Sequence, residues 1–411
     1  MTRMEKIGRN DMCNCESQKK YKKCCLEKDE LELRKKRRTA VFNRFSVIED
    51  PRDNRGKRYL LMDLFVMSIY GILNGYDDFV NLAYFLEVNE DYFKKLLLID
   101  KTPSHDCLSD LFSMIDTEKF TKIFIEWTKS LLEEQTGYTM AIDGKAVKSA
   151  RDKINSGNTP YILSAYLTDL GLSVGQVDVD KKSNEITAIP KLLDLLNIKG
   201  NYITIDAMET QESITRKIVS LEGHYLLKVK GNQKQLQKDV RKYFDEHLDN
   251  KEDLLVDITG FERNHGREEH REYYVSHDPS CITDKNKWDT VKALGMVRVY
   301  RIIGDKLNIE DHFYIMDTKI SIMMFKKAIR NHWNIECGLH WRLDVILNED
   351  HSRSRKGESI SNLALMRKII FNLVRLDTSF GKITFKKKLV NYRSNFSKIE
   401  NLIFNVLPEI A

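Results

Sequence analysis

The chain has 411 residues, 42% of them hydrophobic and only 6 of them proline, which describes an ordered, helix-rich globular protein with two or three domains instead of one simple core. Charged residues make up 31% and the net charge is +6, a balance that suits a nucleic-acid partner. The most apolar run, Leu64 to Leu73, is half of the ~20 residues a membrane span needs, the polar start is unlike a secretory signal, and seven cysteines, four of them crowded together, are no extracellular framework; a cytoplasmic protein is expected.

Residues 1–40 hold Cys13-Asn-Cys15, eight polar and basic residues, then Cys24-Cys25. Nothing in this segment builds a core without help. Four thiols on a short loop suit tetrahedral Zn2+, and the flanking lysines favour the thiolates that zinc needs. The spacing resembles the SEC-C zinc motif. A linker ending Arg34-Lys-Lys-Arg-Arg38 follows, and residues 1–38, with thirteen basic against seven acidic side chains, carry the chain's whole positive excess.

Residues 41–135 read as a helical domain and a candidate DNA-binding one. Ile48-Glu-Asp-Pro-Arg-Asp-Asn-Arg-Gly-Lys-Arg-Tyr59 is a charged, turn-rich entry, and apolar positions then recur at helical spacing through Leu60–Leu73, Phe79–Phe85, Tyr92–Leu98 and Phe120–Leu132. Thr102-Pro-Ser-His105 caps a further helix that runs to Ile115.

From Tyr138 the period changes. Thr139–Ile142 is a short buried strand ending in Asp143-Gly144; Tyr161–Thr168 and Leu172–Val179 follow as a hairpin, then a helix at Lys191–Leu196. Gly200 to Asp206 is a second branched strand ending in an aspartate, followed by a helix over Gln211–Leu221 and a strand from His224 to Asn232. Three strands, helix, strand, helix, strand is the order of a ribonuclease-H-like α/β fold, assigned to residues 136–378. An inserted α/β segment occupies about 233–312. Ser321 to about Leu347 reads as one long helix carrying Glu336, with Trp333 and Trp341 expected in the core, and residues 379–411 as a basic tail.

Two aspartates at adjacent strand ends and an inward glutamate on a helix offer hard oxygen ligands to Mg2+ or Mn2+, with positions left for water and phosphate. Lys145, Lys228 and Lys230 near strand ends are candidate phosphate contacts, Asn232 and Gln233 candidate base or backbone contacts, and Arg267, Arg271, Arg330, Arg355 and Lys356 candidate DNA contacts.

Ala141-Ile-Asp143-Gly-Lys145, Asn184-Glu-Ile-Thr-Ala-Ile-Pro190, Thr204-Ile-Asp206-Ala-Met208, Lys228-Val-Lys-Gly-Asn-Gln233, His265-Gly-Arg267 and His332-Trp-Asn-Ile-Glu336 with Leu339-His-Trp341 resemble, in order and spacing, the insertion-sequence transposases that include the H-repeat-associated proteins. The resemblance runs from about Phe45 to about Asp377. It implies a DDE transposase with the triad Asp143, Asp206 and Glu336, cleaving and joining strands at the terminal inverted repeats of its element. It also implies double-stranded DNA as partner, a homodimer on DNA and association with the nucleoid. Two rival readings share these residues: a catalytically silent DNA-binding relic, and a nuclease that cuts without joining.

Overall fold

The computed structural model describes residues 15, 17, 19–25, 28, 48–55, 57–132, 136–147, 159–179, 185–249, 253–264, 267–304 and 306–406. They divide into two units, one of Met1–Ile115 with Leu376–Ala411, the other of Asp116–Arg375. Among the described residues no helix is long and apolar enough to cross a membrane.

In the first unit the helices are α1 (Leu61–Asn74), α2 (Phe79–Val88), α3 (Glu90–Leu97) and α4 (His105–Met114). Helix α1 is apolar nearly all round and buried accordingly. It starts where the Asp63 carboxylate accepts from the Leu60 amide at 3.1 Å, and stops at Gly75, whose φ of 97° is the left-handed conformation that ends helices. The carboxyl-terminal segment, expected as a basic tail, folds into this unit. Helices α11 (Phe385–Ser394) and α12 (Phe396–Asn401) bring Phe396 against Tyr70, Phe85 and Tyr92, and Arg393 Nε donates to the Leu73 carbonyl at 2.9 Å. The apolar members Phe385, Leu389 and Tyr392 sit inside while its lysines are mostly outside, so a locally basic sequence still has a face to bury.

The second unit opens with α5 (Thr117–Leu131) and is organised around β1 (Thr139–Ala146). Met140, Ala141 and Ile142 are buried on both faces, the pattern of a central strand. Antiparallel neighbours β2 (Tyr161–Leu167) and β3 (Leu172–Val179) lie on one side of β1, and parallel neighbours β4 (Tyr202–Ile205) and β5 (His224–Val229) on the other. Helices α6 (Glu185–Leu195) and α7 (Glu212–Ser220) make the crossovers. The order β3-β2-β1-β4-β5 is that of the ribonuclease-H-like fold expected from the sequence.

The insertion does not form a separate layer. After α8 (Lys234–His247), strands β6 (Leu255–Ile258), β7 (Glu262–Asn264), β8 (Arg267–Ser276), β9 (Ala293–Ile303) and β10 (Lys306–Met316) extend the same sheet, because β10 pairs antiparallel with β5. Helix α9 (Ile322–His332) covers this extension, and Phe325 packs so close to Gly295 that a Cβ there would stand 2.4 Å from its ring. Helix α10 (Ser359–Leu376) lies along β3, where the Asn372 side chain accepts from the Ser173 amide at 2.9 Å and donates to its carbonyl at 2.8 Å, satisfying backbone groups of an edge strand.

Candidate active site

Parallel pairing of β1 with β4 sets Ile142 against Ile205, so the next residues, Asp143 and Asp206, come side by side where β4 ends; β1 itself does not end there as expected from sequence but runs on to Ala146, still paired with β2. Asp206 leaves the sheet as the cap of a 3-10 turn, Ala207–Glu209, its Oδ1 accepting from the Ala207 amide at 2.7 Å. That turn is held from below. Asn232 Nδ2 donates to the carbonyls of Ala207 (2.9 Å) and Met208 (3.2 Å), and Gln233 Nε2 donates to the Thr210 carbonyl at 3.1 Å. Asn232 and Gln233, read from sequence as base or backbone contacts, are thus committed to the protein: both amides face the turn that positions Asp206.

The helix expected as one piece from Ser321 to about Leu347 changes its winding. Helix α9 is capped by Ser321, whose Oγ accepts from the Met324 amide at 3.2 Å, and ends at His332; two π-helical stretches follow, Ile335–His340 and Arg342–Ile346. Gly338 passes the Tyr166 side chain so closely that a Cβ would lie 2.8 Å from its hydroxyl, and Arg342 Nη1 donates to the Gly338 carbonyl at 2.6 Å, occupying an acceptor where the coil widens.

Glu336 lies in the first of these stretches, between His332 and His340. Burial and then Asp143 raise its carboxyl above the usual range; His340 opposes the rise and Asp206 adds to it. Both aspartates therefore act on Glu336, although the three carboxylates are spread more widely than a single-ion cage: among the described residues, only the thiols of Cys15, Cys24 and Cys25 form a group of three ligand atoms within 4.8 Å of one another. His340 Nδ1 stands 3.4 Å from Asp143 Oδ2. His332 Nδ1 is 3.0 Å from Thr204 Oγ1, and burial holds this imidazole below its ordinary value despite both aspartates. Asp344, the other acid of this segment, is taken by Lys145. Glu209, three residues past Asp206, is buried beside Glu185; burial and that neighbour push its carboxyl up to about 8, so it adds no charge near Asp206 at neutral pH. Sequence reading quoted Glu185 only as part of a motif and gave neither glutamate a role, since nothing local signals the burial of either.

A family profile described as "Transposase DDE domain" matches residues 134–373, which span the sheet and all three carboxylates. The chain belongs to the DDE transposases. A second profile, "DDE_Tnp_1-associated", matches residues 42–128, and a "SEC-C motif" profile matches residues 9–27. "H repeat-associated putative transposase YhhI" of Escherichia coli (strain K12) is 33% identical over 356 residues, 85% of this chain and 93% of that one. "Putative transposase YncI" of Escherichia coli O157:H7 is 34% identical over 371 residues, 89% and 94% of the two chains. Among solved structures, the piggyBac transposase synaptic complex with hairpin DNA superposes with a TM-score of 0.45 at 11% identity over 91% of this chain and 85% of that one, too distant a likeness to bear on function.

The basic residues of this transposase divide by their partners. Lys145, expected to meet phosphate, is only 12% exposed and its ammonium lies among Asp344, Glu349 and Asp350, so it is a structural cation. Arg271 pairs with Glu269 and Glu262 within the inserted strands, and Arg330 with Glu262 at 2.7 Å, a pair that ties α9 to β7. Arg267 lies on β8 with its side chain outside the described residues. Lys230 is exposed, 3.9 Å from Asp206 Oδ1, and Lys228 on the same strand borders a cavity of about 480 Å³. Arg355 and Lys356 are exposed after the 3-10 turn Glu349–His351.

Trp333 and Trp341, expected in the core, are 63% and 50% exposed. Ile335, Leu339 and Leu343 take the buried face of the segment, which turns both indoles outward. In the amino-terminal motif, Cys15 Sγ is 3.2 Å from Cys24 Sγ, which is 3.8 Å from Cys25 Sγ; Cys13 lies outside the described residues.

Proposed function

We propose that this transposase cleaves and joins double-stranded DNA at the ends of its insertion sequence by in-line phosphoryl transfer, with Asp143, Asp206 and Glu336 holding Mg2+ or Mn2+. The observation that carries the reading is convergence: β1, the end of β4 and the π-helical stretch bring three carboxylates close enough together that Asp143 and Asp206 both raise the Glu336 carboxyl. Such a donor set fits a divalent ion, being all hard oxygen and open to solvent at Asp206 and Glu336. The bound ion would lower the pKa of a water or 3′-hydroxyl and neutralise charge on the transferring phosphoryl group.

The chain's own residues do the remaining work. His340 stands beside one oxygen of Asp143, its Nδ1 3.4 Å from Oδ2. His332, kept neutral by burial, locks the helix to Thr204 two residues before Asp206 without adding charge. Asn232 and Gln233 set the turn, and Lys230 with Lys228 supplies positive charge beside Asp206 for the DNA backbone. Cys13, Cys15, Cys24 and Cys25 are proposed to hold a structural Zn2+: the three described thiols converge within 4.8 Å, and the Cys24–Cys25 separation of 3.8 Å matches the edge of a tetrahedron with Zn–S of ~2.3 Å. A homodimer on paired element ends completes the reading.

The test is a strand-cleavage and strand-transfer assay with duplexes carrying the DNA termini that flank the gene. Wild-type protein with Mg2+ is expected to nick and join; Asp143→Asn, Asp206→Asn and Glu336→Gln are each expected to lose both steps while still binding DNA. Cleavage that survives in Asp143→Asn or Asp206→Asn refutes the mechanism, and cleavage without joining in the wild type leaves a nuclease.

A further inference from the structure

The first unit has its own charged cavity, and nothing in the DDE chemistry uses it. It measures about 430 Å³ and is bordered by five cations, Arg52, Arg55, Lys57, Arg58 and Lys101, against two acids, Asp53 and Asp110. Its floor is the start of α4, where Ser104 Oγ accepts from the Cys107 amide at 3.3 Å.

The five cations are not equivalent. Arg52 is built into the wall: Nε and Nη2 grip the Asp50 carboxylate at 2.9 and 2.7 Å, and Nη2 also donates to the Tyr59 carbonyl at 2.8 Å. Lys57 leans on the same carboxylate at 3.5 Å. This fork pins Asp50 to Tyr59, the two ends of the charged entry segment, and fixes the course of the chain between them. Asp53, exposed on the rim, accepts from the Arg55 amide at 2.9 Å. Arg55, Arg58 and Lys101 remain exposed on the rim, and among the described residues none of them has a carboxylate partner. A rigid inner ion pair that presents three unneutralised cations around one hollow, with a helix amino terminus behind them, is built for an anion. The lining has a single aromatic ring, that of half-buried Tyr59, so it offers little to a free base and much to a backbone.

We propose that this cavity binds the phosphodiester backbone of duplex DNA, giving the transposase a grip on its element outside the carboxylate cluster. Arg55, Arg58 and Lys101 take successive phosphates, and the Asp50–Arg52 pair holds the segment that presents them. The proposal rests on the DNA-processing reading above, and the experiment separates the two.

Binding of a fluorescent element-end duplex to the full chain is followed by anisotropy across a salt series, for wild type, R55A/R58A/K101A, the charge-keeping R55K/R58K/K101R, and E336Q. Each lost phosphate contact lowers the slope of log affinity against log salt by about 0.9, so the alanine triple is expected to lose about 2.7 from the slope. It should bind at least tenfold more weakly at 0.1 M salt. The charge-keeping triple is expected to stay near wild type, which shows that the segment still folds, and E336Q to keep the full slope. An alanine triple with wild-type slope overturns this site while leaving the proposed function standing. Wild-type protein that binds no duplex overturns both. A labelled mononucleotide that binds wild type and not the alanine triple, with duplex binding equal in the two, also overturns the site, since its occupant is then a small anion.

Discussion

Replacing Lys145 with Met tests whether the charge behind β1 supports the carboxylate cluster. Lys145 lies two residues after Asp143, and its ammonium pairs with Asp344 and Glu349 and stands 3.9 Å from Asp350. Glu349 is only 4% exposed. Burial alone would raise its carboxyl, yet Lys145, Lys368 and Arg367 together bring it from an ordinary 4.5 down to about 2. At about 1.36 kcal/mol per pH unit, that displacement is worth about 3 kcal/mol. The thioether side chain keeps most of the volume and removes the charge, leaving Asp344 and Glu349 short of a partner; breaking a buried pair from one side costs about 3–5 kcal/mol. With Lys368 and Arg367 still near Glu349, a loss of about 3 kcal/mol is expected.

All four tryptophans, Trp127, Trp288, Trp333 and Trp341, fall in the second unit, so urea denaturation followed by tryptophan fluorescence reads that unit alone. Adding Glu349→Gln is expected to return part of the loss. The sign with pH is fixed by the depressed carboxyl: its contribution is whole above about 4.5 and disappears as pH falls through about 2, so the Lys145→Met deficit should shrink between pH 7 and pH 3. A deficit below about 1 kcal/mol at pH 7, or one that does not change down to pH 3, refutes the reasoning. An altered salt slope for DNA binding with unchanged stability would return Lys145 to the phosphate contacts.

Three further outcomes are expected. Asn232→Ala, which removes two hydrogen bonds from the turn after Asp206, should cost about 1–3 kcal/mol in urea denaturation and lower strand cleavage more than DNA binding. His312 is held down to about 4 by burial, then by Lys228, so NMR should find it neutral until well below pH 6; its contribution to stability is whole above 6.5 and lost as pH falls through about 4. Metal analysis of the full chain under reducing conditions should find one zinc per chain, lost in Cys24→Ser; substoichiometric zinc in the wild type would dismiss the cysteine site.

How much of this was legible beforehand follows from which interactions are local. Asp143 and Asp206 each ended a branched apolar run, and a charge at such a place stands out in the sequence. Glu336 was expected from the resemblance carried by His332-Trp-Asn-Ile-Glu336 and Leu339-His-Trp341, not from any local pattern of its own. Lys145 was misread because its partners lie about 200 residues away, at Asp344, Glu349 and Asp350, and no periodicity reports such a pairing. Trp333 and Trp341 were misread for a different reason: aromatic content alone suggested the core, while Ile335, Leu339 and Leu343 had already filled the buried face. The π-helical winding accompanies the approach of Gly338 to Tyr166, a contact made only once the sheet exists.

The pairing of β10 with β5 also has a mechanical side. A strand that carries Lys228 toward the carboxylates would otherwise end the sheet, with a row of unsatisfied amides and carbonyls open to any passing chain. The insertion instead makes β5 an interior rung of a stiff ladder, and moves the vulnerable border outward to β6, four strands away. Change at that outer border, in length or in residue type, can accumulate without loosening the rung beside Asp206. Excising the whole insertion would do the opposite, turning a buttressed strand into a sticky one, so such a truncation would report on aggregation before it reported on chemistry.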